Sequence, residues 1–319
     1  MKKKLLLALL TVMMAVEVSA QNTAMATLSH GGGTQTFYGY SALQVALDSA
    51  SHGDVIVLSK GTFGAKNINK AVTIRGVGMG VTTSTEQTKI TGDFTIQIDG
   101  SVTDLLTLEG IHHNSTVTIN NSLKRATFLK CRFRIVNATV QGSTFLHCYF
   151  TERLTLSGTA TVLNSYVKHP CGNNFEMRNC VVWDDTNYSE RPQTSTFANC
   201  IFYSTRDDGG LYANNNTASH CVVISETTNI LSQLPNTTNK HVTKLSTIFL
   251  NFRGTYSEEK SFEMTSTAIK NYKGTDGTQV GMYGGALAFT PATTSPKPST
   301  FDVAPQTNAD GTLRVVVQP

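Results

Sequence analysis

Charge is scarce in this chain. Asp, Glu, Lys and Arg make up 15% of 319 residues, with 26 basic against 22 acidic side chains. So even a balance excludes the electrostatic footprint of a nucleic-acid-binding protein. Long apolar runs are missing as well. The longest, Leu5–Val16, has twelve residues, short of the ~20 that a membrane-spanning helix needs. No cysteine follows that run closely, the first being Cys131, which argues against a lipid-anchored N-terminus.

What the first twenty residues do contain is the three-part pattern of an export signal. Lys2, Lys3 and Lys4 precede the apolar run, and Val18-Ser19-Ala20 precedes Gln21. Cleavage after Ala20 is expected, delivering a soluble chain to the periplasm, the cell surface or the medium. The mature chain would carry 23 basic and 21 acidic residues, a formal charge of about +2.

Six cysteines in an exported protein first suggest disulfides, but their positions point elsewhere. One phrase recurs: Phe128-Leu-Lys-Cys131-Arg-Phe133, Phe145-Leu-His-Cys148-Tyr-Phe150 and Val162-Leu-Asn-Ser165-Tyr-Val167. It continues at Met177-Arg-Asn-Cys180-Val-Val182, Phe197-Ala-Asn-Cys200-Ile-Phe202 and Ala218-Ser-His-Cys221-Val-Val223, with forerunners centred on Ile111 and Val77. Five cysteines share one column. From Ile111 to Cys221 the spacings are 20, 17, 17, 15, 20 and 21 residues, one turn of a solenoid of short strands. The dense leucines of a leucine-rich repeat are lacking, and a propeller blade needs about forty residues.

The phrase has a local physical logic. Side chains alternate along a strand, so the column residue and the apolar residue two later face the same way. The apolar residue three before the column breaks that parity, and a bend must intervene. Asn164, Asn179, Asn199, Gly76 and Gly110 stand just before the column, and asparagine and glycine accept a left-handed backbone at least cost. Lys130, His147 and His220 share that position less comfortably. The cysteines then read as small buried hydrophobes, since in-register stacking is poor bridge geometry.

Strand, tight corner and strand at this period resembles the pectate-lyase-like family of right-handed parallel β-helices, in particular its secreted bacterial members of unassigned function. The flanks carry the likeness further. Tyr40–Ala50 has helical apolar spacing at Leu43, Ala46 and Leu47, Gly53–Leu58 reads as the first strand, and the family commonly opens with a helix capping the core. Asp276–Gly285 resembles the closing coil of secreted members. The expected organisation is an all-β, right-handed parallel β-helix of roughly ten coils. By position it comprises a signal peptide at 1–20, a lead-in at 21–39, the solenoid at 40–290, a linker at 291–300 and a tail strand at 301–319 that returns along the solenoid.

Two groups of residues could carry chemistry. Arg132, Tyr149 and Tyr166 fall on one outward row beside the column, with Arg134, Lys168, Trp183 and Tyr203 on the next. Aromatic rings offer flat apolar area to sugars and arginine pairs with carboxylates, so these rows could grip a polysaccharide. They could equally be ordinary cross-strand packing. Asp184 and Asp185 in one loop and Asp207 and Asp208 in the next could supply oxygen ligands to calcium, or serve as solvated turn residues. In lyases of the resembled fold calcium bridges uronate carboxylates and a basic residue removes the proton, a role that would fall to Arg206. Of the family's hydrolase motifs only an Asp-Asp pair is present. His112-His113 lacks a metal-spaced partner, and His113 has the inward parity of a packed side chain. Gly31–Gly33 lacks the context of a phosphate loop.

The leading expectation is therefore an exported, non-catalytic β-helix that contacts glycans or another extracytoplasmic surface. The competing one is a calcium-dependent lyase cleaving a uronic-acid polymer by β-elimination. A structural or assembly module is the third. Coils of 15 to 21 residues leave little loop to wall a cleft, which favours binding or structure.

Overall fold

The computed structural model describes residues 24–64, 67–78, 87–120, 123–185, 189–204, 215–225, 236–251, 262–290, 300–303 and 315–318. The chain is a parallel β-solenoid of about eight turns, somewhat fewer than the repeat count suggests. Its strands stack into three faces. The first begins at Val55–Leu58, continues through Thr73–Arg75, Leu106–Glu109 and Ala126–Leu129, and ends at Thr196–Ala198 and Thr217–Ser219. The second runs from Gly61–Gly64 to Lys240–Val242. The third runs from Asn67–Ile68 to Pro192–Gln193. In the middle coils the strands Arg132–Leu146 and Tyr149–Leu163 wrap from the second face through the third into the first without a break.

The corner between the first and second faces behaves as the phrase requires. Gly110, Lys130, His147, Asn164, Asn179, Asn199 and His220 all have left-handed backbone, with φ between 44° and 66°. The ladder passes straight through them: each of Lys130, His147, Asn164, Asn179 and Asn199 donates its N–H to the coil that follows, for instance Asn164 N to Arg178 O at 3.1 Å. One position later Cys131, Cys148, Ser165, Cys180, Cys200 and Cys221 form a fully buried column. Their carbonyls accept from the next coil, as when Tyr149 N bonds Cys131 O at 2.9 Å. The thiols also reach the preceding coil, Cys148 Sγ to Phe128 O at 3.3 Å and Cys180 Sγ to Val162 O at 3.3 Å. A side chain here must be small, and a weak donor is rewarded by that carbonyl.

Beside this column the core is filled by stacked rings, Phe128 on Phe145 at 4.5 Å and Phe133 on Phe150 at 6.0 Å. At the start of the solenoid, β1 (Met25–His30) and β2 (Gly33–Tyr38) form an antiparallel hairpin. β1 pairs antiparallel with β3 (Val55–Leu58) and so covers the open edge of the first strand. Gly31 and Gly32 make the hairpin turn with φ of 57° and 79°. The expected helix, α1 (Ala42–Ser49), buries Ala42, Leu43, Ala46 and Leu47 in the main core. In the C-terminal tail Val315–Gln318 pairs antiparallel with Thr300–Val303 in a separate two-stranded sheet.

All six cysteines are free and buried. Burial pushes the Cys131 thiol up to about 12, and those of Cys148, Cys200 and Cys221 rise well above the ordinary range for the same reason. Thiolate, the reactive form, is therefore suppressed. The native protein is expected to leave a thiol reagent such as Ellman's unreacted and to release all six groups in denaturant. Fewer than six in denaturant without reductant would mean disulfides and refute the column.

Candidate functional site

The two outward rows do not form an exposed platform. From Tyr149 onward the first row is Tyr166, Val181, Ile201 and Val222, and the second, from Lys168, is Trp183, Tyr203, Ile224 and Val242. Most of these close into a second hydrophobic cluster with Ile248, Phe249, Phe262, Met264, Val280, Met282 and Phe289. Tyr166 is 0% exposed and Trp183 is 1% exposed. Phe262 stacks on Tyr166 at 5.1 Å, Phe289 meets the half-buried Tyr149 edge-on at 5.7 Å, and Tyr203 lies against Trp183 at 3.9 Å. Transferring such rings from water is worth about 2–3 kcal/mol each, so the C-terminal segment is a built layer over the second face.

Polar contacts fix where that layer lies. Asn199 accepts from Thr275 N at 3.0 Å and its backbone carbonyl accepts from Gly281 N at 2.8 Å. Asn164 donates to Met282 O at 3.0 Å and Gly284 O at 2.7 Å, and the His147 ring bonds Leu287 O at 2.7 Å. The segment thus runs antiparallel to the order of the coils, reading one corner side chain after another. A Cβ on Gly284 would sit 1.7 Å from Gln279 O and 2.8 Å from the Asn179 amide, which explains glycine there. The expected closing coil at Asp276–Gly285 is instead this strap along the corner.

The basic members of the proposed sugar site are engaged. Arg134 pairs with Glu152 at 2.6 Å and Lys168 with Asp185 at 3.1 Å. The Arg132 guanidinium donates to Nε2 of His112, whose Nδ1 side contacts Gln87. Burial first, and then the Arg132 and Lys89 charges, hold His112 down at about 3, so the ring is neutral. His113 is fully buried as its parity implies, bonding Gly92 O at 2.8 Å and meeting Phe94 edge-on.

The acidic candidates separate. Asp184 is not a solvated turn residue: it is 0% exposed and contacts His169 Nδ1 at 3.2 Å, with Ser204 continuing the same buried row in the next coil. Asp185 is held outward by Lys168. Asp207, Asp208 and Arg206 lie outside the described residues. Among the described residues no group of three or more His, Cys, Asp or Glu is gathered as metal ligands would be, and no helix is long and apolar enough to cross a membrane. No protein family, curated protein or solved structure matches this chain.

Two outcomes follow. Leaving a buried polar group without its hydrogen-bond partner costs about 1–3 kcal/mol, so Asp184→Ala is expected to lower the urea midpoint. A midpoint within error of the parent would return Asp184 to solvent. Second, His112, His113 and His147 all have lowered pKa values, with desolvation the largest cause. The unfolded chain, with histidines near 6.5, then binds protons that the folded one rejects. Their contribution is complete above ~6.5 and is lost as pH falls toward the folded values. Tm is expected to fall between about pH 6.5 and 5.5, above most of the range where carboxylates titrate. A flat profile there would contradict their burial.

Proposed function

We propose that the protein is an exported, non-catalytic β-helix of the pectate-lyase-like type that contacts glycans or another extracytoplasmic surface through its open sheet faces. The observation that carries the reading is the allocation of side chains. Tyr166, Trp183, Asp184, Arg134 and Lys168 are occupied in holding coils and strap together. The outward rows of the first and third faces, by contrast, are mainly half-buried or exposed polar side chains. Function then belongs to rows repeated from coil to coil, not to a convergent constellation of acid, base and metal. The leader-like N-terminus and the repeated Asn/Gly corners support export and the family likeness.

The full-length mature chain should be retained by at least one class in a panel of immobilised polysaccharides, and should release no unsaturated uronate from pectin, alginate or glycosaminoglycan with calcium present. Product absorbance rising with enzyme concentration would establish the lyase reading instead. Retention by no polysaccharide and by no cell surface would leave only a structural module.

A further inference from the structure

We infer that the first face is a docking surface for a neutral, unbranched, repeating polysaccharide lying along the solenoid axis. The inference rests on the glycan-contact reading above and names the class of glycan. Its basis is one in-register row: Val55, Thr73, Thr107, Thr127, Thr144, Thr161, Glu176, Thr196 and Thr217. Seven of these nine positions are threonine, and every threonine among them is half-buried or exposed. General strand preference would mix Val, Ile, Tyr and Phe into such a row. The corresponding row of the third face is indeed mixed, as Asn67, Thr95, Thr118, Asn137, Thr155 and Cys171.

The first-face pairings carry no register shift, and the shifts in the long middle strands fall before Thr144, Thr161 and Glu176. At the ~4.8 Å spacing of strands, the nine positions span about 40 Å, with threonine in seven of the nine coils.

Charge on this face selects the partner. The adjacent outward row runs Val57, Arg75, Glu109, Leu129, Leu146, Leu163, Arg178, Ala198 and Ser219. Arg75 pairs with Glu109 at 3.0 Å and Arg178 pairs with Glu176, so the charges on the two rows cancel in pairs at either end. Between them three successive coils present only Thr127 with Leu129, Thr144 with Leu146, and Thr161 with Leu163. Along these two rows a polyanion or polycation finds no unpaired charge, the cations Lys124, Arg125 and Lys130 standing outside them. A neutral sugar chain finds methyl and leucine surface for its C–H faces and a hydroxyl at each coil. Each threonine hydroxyl carries one donor and two acceptor sites, and neighbours bridge along the row, as Thr217 Oγ1 to Thr196 Oγ1 at 3.2 Å. One sugar gains little from a single coil's threonine. Affinity must come from many equivalent contacts along a chain.

The test uses the mature full-length protein with cellulose, chitin, pectate and alginate as probes, and with soluble β-glucan oligomers of rising length as competitors. Retention by cellulose or chitin is expected, with competition that strengthens steeply with oligomer length. Thr127→Lys/Thr144→Lys should reduce retention at least about tenfold, whereas Thr118→Lys/Asn137→Lys on the third face should not. Should the lysine variant lose its cooperative thermal transition, Thr127→Val/Thr144→Val keeps the shape, removes the hydroxyls and should still weaken binding. Retention by pectate or alginate alone would overturn this inference while leaving the glycan-contact reading standing. Retention by none would overturn both. Binding to cellulose or chitin that is indifferent to the first-face variants, or to oligomer length, would also overturn it.

Discussion

The structure depends on one backbone constraint, a left-handed residue at the same corner of successive coils. An L-residue pays roughly 1–2 kcal/mol to adopt that conformation, and the fold asks for it at Lys130, His147, Asn164, Asn179, Asn199 and His220 in turn. What offsets the cost is collective. Each corner N–H along most of this line enters a ladder bond to the next coil, and the small residue that follows seals the core beneath it. Asparagine adds a side-chain amide that glycine lacks. In Asn164 and Asn199 that amide is what the C-terminal strap binds.

The strap therefore joins two levels of organisation. Stacked coils produce a line of similar corners, and a segment far downstream in sequence uses the line as a track. Its apolar side then covers the second face, where Tyr166, Val181, Trp183, Ile201 and Val222 would otherwise form a large exposed patch. Upstream the same row is Lys89, His112 and Arg132, side chains that tolerate water. One continuous face is thus divided between a polar half and an apolar half.

The corner and the cysteine column were legible because they repeat at short intervals, and a repeat can be seen in a single sequence. The parity of His113 and the apolar spacing of α1 were legible for similar local reasons. The fate of Trp183 and Tyr166 was not. Alternation says which residues point away from the solenoid, but nothing about a segment some eighty residues later that packs on them. A signal was nevertheless present: the outward row turns from Lys89, His112 and Arg132 to Val181, Ile201 and Val222, and aliphatic side chains at consecutive outward positions require a cover. Asp184 was misread because a loop-like stretch after Trp183 hid its place as the last, inward residue of a strand, opposite His169. The Thr127, Thr144 and Thr161 row lay in plain view as Thr-Phe-Leu, Thr-Phe-Leu and Thr-Val-Leu before three corners.

The aromatic row belongs to a buried layer beneath the strap. Trp183 is the single tryptophan of the chain, so its fluorescence reports on that claim without interference. The native full-length protein should show blue-shifted emission resistant to acrylamide quenching, shifting red and becoming quenchable when the chain is unfolded in denaturant. A native emission already red-shifted and freely quenched would place Trp183 in water and contradict the account.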